Sequence, residues 1–162
     1  MPIYMEYDSG AIKGDVTEQN HGDWIELNSA QFGIGRGITS PTPGGSKDRE
    51  ASNPSVSEIV VTKVMDSASA DLFKESLQGT GKQCVIEFCV STQQQGMQPY
   101  LTWTLTNTMI SGYSMSSGGD RPSESLSLNF TKVEYKNIPR DEAHAEQGQK
   151  IYTYDLATAM VS

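Results

Sequence analysis

The sequence has 162 residues and carries 12 Lys and Arg against 20 Asp and Glu, a formal net charge of −8 at pH 7. A chain of this length buries roughly 70% of its unfolded surface as a single domain, so its core needs no disulfide or metal. The acidic balance repels nucleic-acid phosphates and anionic headgroups, and no stretch approaches the ~20 apolar residues of a membrane span. Neither nucleic acid nor membrane is an expected partner.

The opening "MPIYMEYDSG" has no basic region followed by an apolar one. We expect a soluble chain made in the cytosol, with any export following a route that reads no cleaved signal. Residues 1–162 read as one domain, and Ile3 to Tyr7 and Trp24 to Leu27 are its first strands. In "QFGIGRG" a glycine falls at every second position. On a strand, Phe32, Ile34, Arg36 and Ile38 share one face and Gln31, Gly33, Gly35 and Gly37 the other. Removing three side chains from a strand face costs roughly 0.5–1 kcal/mol per Gly relative to Ala, and close approach of another backbone is the usual compensation. A dinucleotide site needs G-x-G-x-x-G opening a helix. The spacing here is G-x-G-x-G and a Pro-rich run follows, so nucleotide binding is not expected. That run, Thr39 to Ser55, has no apolar periodicity and reads as a protruding loop with Pro41, Pro43, Gly44, Gly45, Lys47, Asp48 and Arg49 at its centre.

After a strand at Ser57 to Val64 comes the one helical pattern. "DSASADLFKESLQG" sets Ala68, Leu72, Phe73 and Leu77 at helical spacing, with Asp66 or Ser67 as N-cap and Gly79 past the end, predicting a helix from Ser69 to Leu77. "GTGKQC" lacks both phosphate-loop anchors, having Ser76 for the first Gly and Gln83 for the metal-binding hydroxyl, and reads as a turn. In "QCVIEFCVS", Cys84, Ile86, Phe88 and Val90 share a face, and Val85, Glu87 and Cys89 lie on the other. The two cysteines then sit about 16 Å apart on opposite faces and cannot bridge each other. "YLTWTLTNT" alternates Leu101, Trp103 and Leu105 with Thr102, Thr104, Thr106 and Thr108. Ile110 to Met115 is a further strand. "SLSLNFTKVEY" alternates likewise until its apolar phase slips by one, which predicts a bulge near Thr131 or Lys132. The polar "PRDEAHAEQGQK" precedes a last strand at Ile151 to Leu156. Eight or nine short strands with one helix predict a mainly β chain: a small antiparallel barrel or two-sheet sandwich.

Chemical motifs are few. "GYSMS" around Ser114 resembles a nucleophile elbow but ends in Ser116 rather than Gly. The only candidate bases, His21 and His144, lie in polar segments expected to be exposed loops. Two cysteines with no C-x-x-C and no neighbouring His predict free thiols and no metal site. We therefore expect no catalytic, metal or cofactor-binding residues, and no enzyme.

Three stretches read together, "IKGDVTEQNHGDWIELNSAQFGIGRGI", "SEIVVTKVMDSASADLFKESLQGTGK" and "ISGYSMSSGGDRPSESLSLNFTKVEY", resemble the haemolysin-coregulated protein (Hcp) family of the bacterial type VI secretion system. The resemblance implies a homohexameric ring that stacks into a tube, with a contractile sheath, a spike protein and small effectors as partners, and export to the outside or into a target cell. It also implies that the Thr39 to Ser55 loop reaches a neighbouring subunit or ring. The chain ends soon after its last strand, so no fused effector is expected. The Thr face of Leu101 to Thr108 and the Ser/Asn face of Ser125 to Thr131 both suit a hydrated lumen, and Gln31, Gly33, Gly35 and Gly37 suit a lumen wall or subunit seam. The alternatives are a phage-tail-like tube protein and, from a different class, a small hydrolase using Ser114.

Overall fold

A computed structural model describes residues 1–39 and 51–162. The loop residues from Pro41 to Arg49 singled out above lie outside the described residues. The ordered elements are β1 (Ile3–Tyr7), β2 (Ile25–Leu27), β3 (Ser29–Gln31), β4 (Ile34–Gly35), β5 (Ser55–Val56), β6 (Ile59–Val64), α1 (Ser69–Gln78), β7 (Lys82–Thr92), β8 (Gly96–Ser116), β9 (Ser123–Asn129), β10 (Lys132–Asn137), β11 (Lys150–Asp155) and β12 (Met160–Val161). All strand pairings are antiparallel.

The larger sheet runs β12-β11-β10-β8-β7-β1-β2, and the smaller runs β3-β6-β9-β8. Strand β8 belongs to both. Its first half pairs with β7 and β10, and its second half with β9. Asn107, at φ 55°, and the register shift between Ile110 and Gly112 mark the passage from one sheet to the other. Sequence patterning predicts two strands here. One continuous strand forms instead, because the small polar residues at the crossing let it coil without breaking its ladder.

The inverse correction applies to "SLSLNFTKVEY". In place of a single bulged strand, β9 ends at Asn129 in the smaller sheet and β10 begins at Lys132 in the larger one. The phase slip records this change of sheet. Leu126 and Leu128 face the common core from one side, and Val133 faces it from the other.

That core joins Ile59, Val61, Ile110, Leu126 and Leu128 of the smaller sheet to Met5, Tyr7, Ile25, Ile86, Trp103 and Leu105 of the larger. Phe32 packs on Trp103 and Phe130 at centroid distances of 5.5 and 6.3 Å. The sheets form the expected two-layer sandwich, and the ladder does not close into a barrel among the described residues.

Helix α1 falls where its periodicity places it. Ala68 and Leu72 are fully buried, and Phe73 meets Tyr113 edge-on at 5.8 Å. The N-cap falls at Ala68, without a side-chain cap bond, and not at Asp66 or Ser67; Asp66 Oδ1 instead accepts the Ala68 N–H at 3.0 Å just ahead of the helix. Leu77 and Phe73, both expected on the apolar face, are 71% and 51% exposed.

Candidate functional site

Two places in the fold collect polar groups. The first is inside. Lys63, with no exposed surface, projects inward from β6 in the same phase as Ile59 and Val61. Its ammonium donates to Asp66 Oδ1 at 2.9 Å, to Ser69 Oγ at 3.2 Å and to Glu124 Oε1 at 3.2 Å, and Glu124 is equally buried on β9. Ser69 Oγ also donates to Glu124. A buried charge is tolerable only when it is paired and hydrogen-bonded, and here the pairing fastens the start of α1 to the smaller sheet. Burial and the nearby Glu124 carboxylate push the Tyr113 hydroxyl up to about 12.

The second place lies under the segment that joins β1 to β2. Gly14 sits so close to the returning chain that a Cβ there would stand 2.3 Å from the Trp24 carbonyl, so this crossing admits only glycine. The bonds Gly14 N–H to Asp23 O and Asp23 N–H to Val16 O close the segment. It brings His21 onto the outer face of β7, where His21 is 2% exposed. The ring is held by tilted contact with Tyr4 at 4.6 Å and an edge contact with Trp24 at 4.8 Å. Nδ1 lies 2.6 Å from Glu18 Oε2 and Nε2 lies 2.7 Å from Glu87 Oε2, while the Cys89 Sγ is 3.6 Å from Nε2. Glu18 is itself fixed by the N–H groups of Asn20 and Met97. The turn beneath it requires glycine, since Gly96 has φ +72° and a Cβ there would meet Glu18 Oε1 at 2.8 Å.

Burial works against a charged His21. Hydrogen bonds to Cys89, Glu87 and Glu18 outweigh it and raise the imidazole to about 10. The ring is therefore an imidazolium at neutral pH, donating to a carboxylate on each side. Burial likewise opposes ionised Glu18, but the bonds from His21, Met97 and Asn20 hold it below the usual carboxylate range.

The expectation that His21 is an exposed loop residue with no bearing on the cysteines is thus corrected. Positions 21, 87 and 89 meet because the β1–β2 connection folds back over β7. Part of the signal was legible, since Glu87 and Cys89 share a strand face. The 66-residue separation between His21 and Glu87 was not. Cys84 and Cys89 are both buried free thiols on opposite sides of β7. Cys89, His21 and Glu18 stand in the order of a nucleophile, base and orienting acid, yet Cys89 has no exposed surface for a substrate to reach. Ser114 is exposed on β8 opposite Ser125, whereas His21 is locked on the outer face of β7 in the other sheet and His144 lies in the segment held by Arg140.

The remaining sequence candidates are surface features. Gly33 and Gly37 donate their N–H groups to Ser57 and Ser52 hydroxyls, each at 3.0 Å, and Gly35 pairs with Ser55 in the β4–β5 ribbon. The predicted strand Phe32 to Ile38 is reduced to Ile34–Gly35 with these flanking bonds. Beside the ribbon, Ile34, Tyr135, Tyr152 and Val161 line an apolar groove and are 42–67% exposed. The two hydroxyl-rich faces turn out to belong to different sheets. On the larger sheet, Thr102 and Thr108 are buried and Thr104 has Glu134 opposite it. On the smaller sheet, Ser29, Thr62, Ser125 and Ser114 lie side by side across four strands.

Among the described residues the chain is a mainly β, antiparallel two-sheet sandwich with one flanking helix and a continuous serine face. The chain matches the family model described as "Type VI secretion system effector, Hcp" over residues 4–136, and it belongs to that family. It is a tube subunit of the type VI secretion system, and the family is a secreted one. A solved structure of a type six secretion system protein is 25% identical, with a TM-score of 0.87 over 99% of both chains. Hcp1 from Salmonella typhimurium is 22% identical at a TM-score of 0.75, covering 99% of this chain and 98% of that one. A type VI secretion system effector from Yersinia pestis is 20% identical at 0.71, over 94% and 98%. No curated protein matches the chain.

Proposed function

We propose that the chain acts as a non-enzymatic ring subunit whose smaller sheet faces the lumen, with effectors carried inside and the sheath and spike as the other partners. The observation that supports the inward assignment is chemical. The outer face of the smaller sheet presents Ser29, Thr62, Ser125 and Ser114 in one row and Gln31, Val60, Ser127 and Gly112 in the next, and the charge beside these rows is Glu58, whose carboxylate accepts from Ser111. The outer face of the larger sheet carries Glu87, Glu134, Lys132 and Lys136. The two faces point away from each other, so only one can line a lumen. Small neutral hydroxyls stay hydrated and give a passing polypeptide neither an apolar patch nor a strong field to adhere to.

Ring closure follows from the edges of the same sheet. Strand β3 and the second half of β8 are its two edge strands, and unpaired edges invite pairing with another chain. Joining one subunit's β8 edge to the next subunit's β3 edge continues the sheet around the ring. The side chains missing at Gly33, Gly35 and Gly37, just beyond β3, leave room for the neighbour, and the apolar groove at Ile34 and Tyr152 gives it something to bury. The loop centred on Pro41 to Arg49 is assigned to contact with an adjacent subunit or ring, and export needs no cleaved signal because contraction ejects the tube.

Native mass spectrometry tests the ring. A species of six chains of 17.7 kDa each is expected, with annular particles of open centre in negative-stain microscopy. A monomer at high protein concentration, with the sheath present, overturns the reading.

A further inference from the structure

The groups around His21 converge on one point. His21 Nε2, Glu87 Oε2 and Cys89 Sγ all lie within 4.8 Å of one another. We propose that these three atoms form a binding site for a single zinc-like divalent transition metal ion, away from the seam proposed above.

Zn–N and Zn–S bonds of about 2.0–2.1 and 2.3 Å in a tetrahedral site place N and S about 3.6 Å apart, and Nε2 and Sγ stand at 3.6 Å. The Nε2 to Oε2 distance of 2.7 Å is that of a hydrogen bond, about 0.7 Å shorter than two ligands of one zinc ion require. Glu87 must therefore withdraw slightly. Its side chain is 20% exposed, which leaves it that freedom and gives an ion a way in. The other ring nitrogen is already held as metal-ligating imidazoles usually are. Nδ1 donates to Glu18 at 2.6 Å, and Glu18 is anchored by two backbone N–H groups.

A ligating thiol and imidazole bind a metal in their deprotonated forms, so loading the ion releases protons to solvent. The mixed nitrogen, sulfur and oxygen donor set suits zinc or cobalt(II) and disfavours calcium and magnesium, which take oxygen ligands.

The test uses the intact purified protein with Zn²⁺ or Co²⁺ as probe. After removal of excess ion, one equivalent of metal per chain is expected by elemental mass spectrometry. The cobalt form should show thiolate-to-cobalt charge-transfer absorption in the near ultraviolet. Cys84→Ser, which removes the buried thiol on the other side of β7, should keep both signals. Cys89→Ser should lose the thiolate band, and His21→Asn should lose the bound metal. The wild-type spectrum decides the matter even if His21→Asn fails to fold. Metal content no higher than in Cys89→Ser, or cobalt bound with no thiolate band, overturns the proposal. Either result leaves the ring reading untouched.

Discussion

Replacing Lys63 by Met is expected to destabilise the folded chain by about 3–5 kcal/mol, because it leaves the Glu124 carboxylate buried without its counter-charge. The ammonium that disappears holds Asp66, Ser69 and Glu124 at once, so the fastening of α1 to β6 and β9 goes with it. For a chain of this size the loss corresponds to a fall in Tm of roughly 10 °C. The double variant Lys63→Met/Glu124→Leu should recover most of it, since removing both charges restores an apolar interior. Thermal and urea unfolding of the two variants check this. A single variant within about 1 kcal/mol of wild type would show that water reaches Glu124 freely and that the network is not a buried one.

Introducing a charge at the proposed seam should abolish ring assembly and leave the subunit folded. Ile34 and Tyr152 are 62% and 63% exposed in the isolated chain, so Ile34→Asp or Tyr152→Asp costs little within the subunit. Burying that carboxylate against a neighbour is a different matter. Central apolar positions of an interface carry roughly 2–4 kcal/mol each, about a 10²-fold change in association per contact, repeated at every seam. Native mass spectrometry should then show single chains with an unchanged circular dichroism spectrum. Gly35→Val is a milder probe of the same region. A Cβ at Gly35 meets no atom within 4 Å, so the subunit accepts it, and only a neighbour approaching closely would be pushed away. Intact rings in all three variants would place the seam elsewhere.

The elements that strict alternation or helical spacing defines were readable in advance. Strand β1, the helix from Ser69 and the two phases of β7 depend on interactions within one segment, which a local pattern records. Short pieces such as β3, β5 and β12 were not readable, because two or three residues carry no period and pair only after their partners are in place. Lys63 and Glu124 did leave a trace, each standing in the inward phase of its strand beside Ile and Val or Leu. A charged residue in that phase signals a buried pair, although nothing local says which residue completes it.

For this protein the sequence by itself determined the class of fold, the helix from Ser69, the serine and threonine faces and the family, since each rests on residue identity and short-range spacing. The tertiary structure decided which hydroxyl face shares a sheet with β3, that the phase slip at Thr131 is a change of sheet, and that His21, Glu87 and Cys89 meet. Those outcomes depend on contacts between residues tens of positions apart. Such contacts form only when the whole chain buries one core, and no local period encodes them.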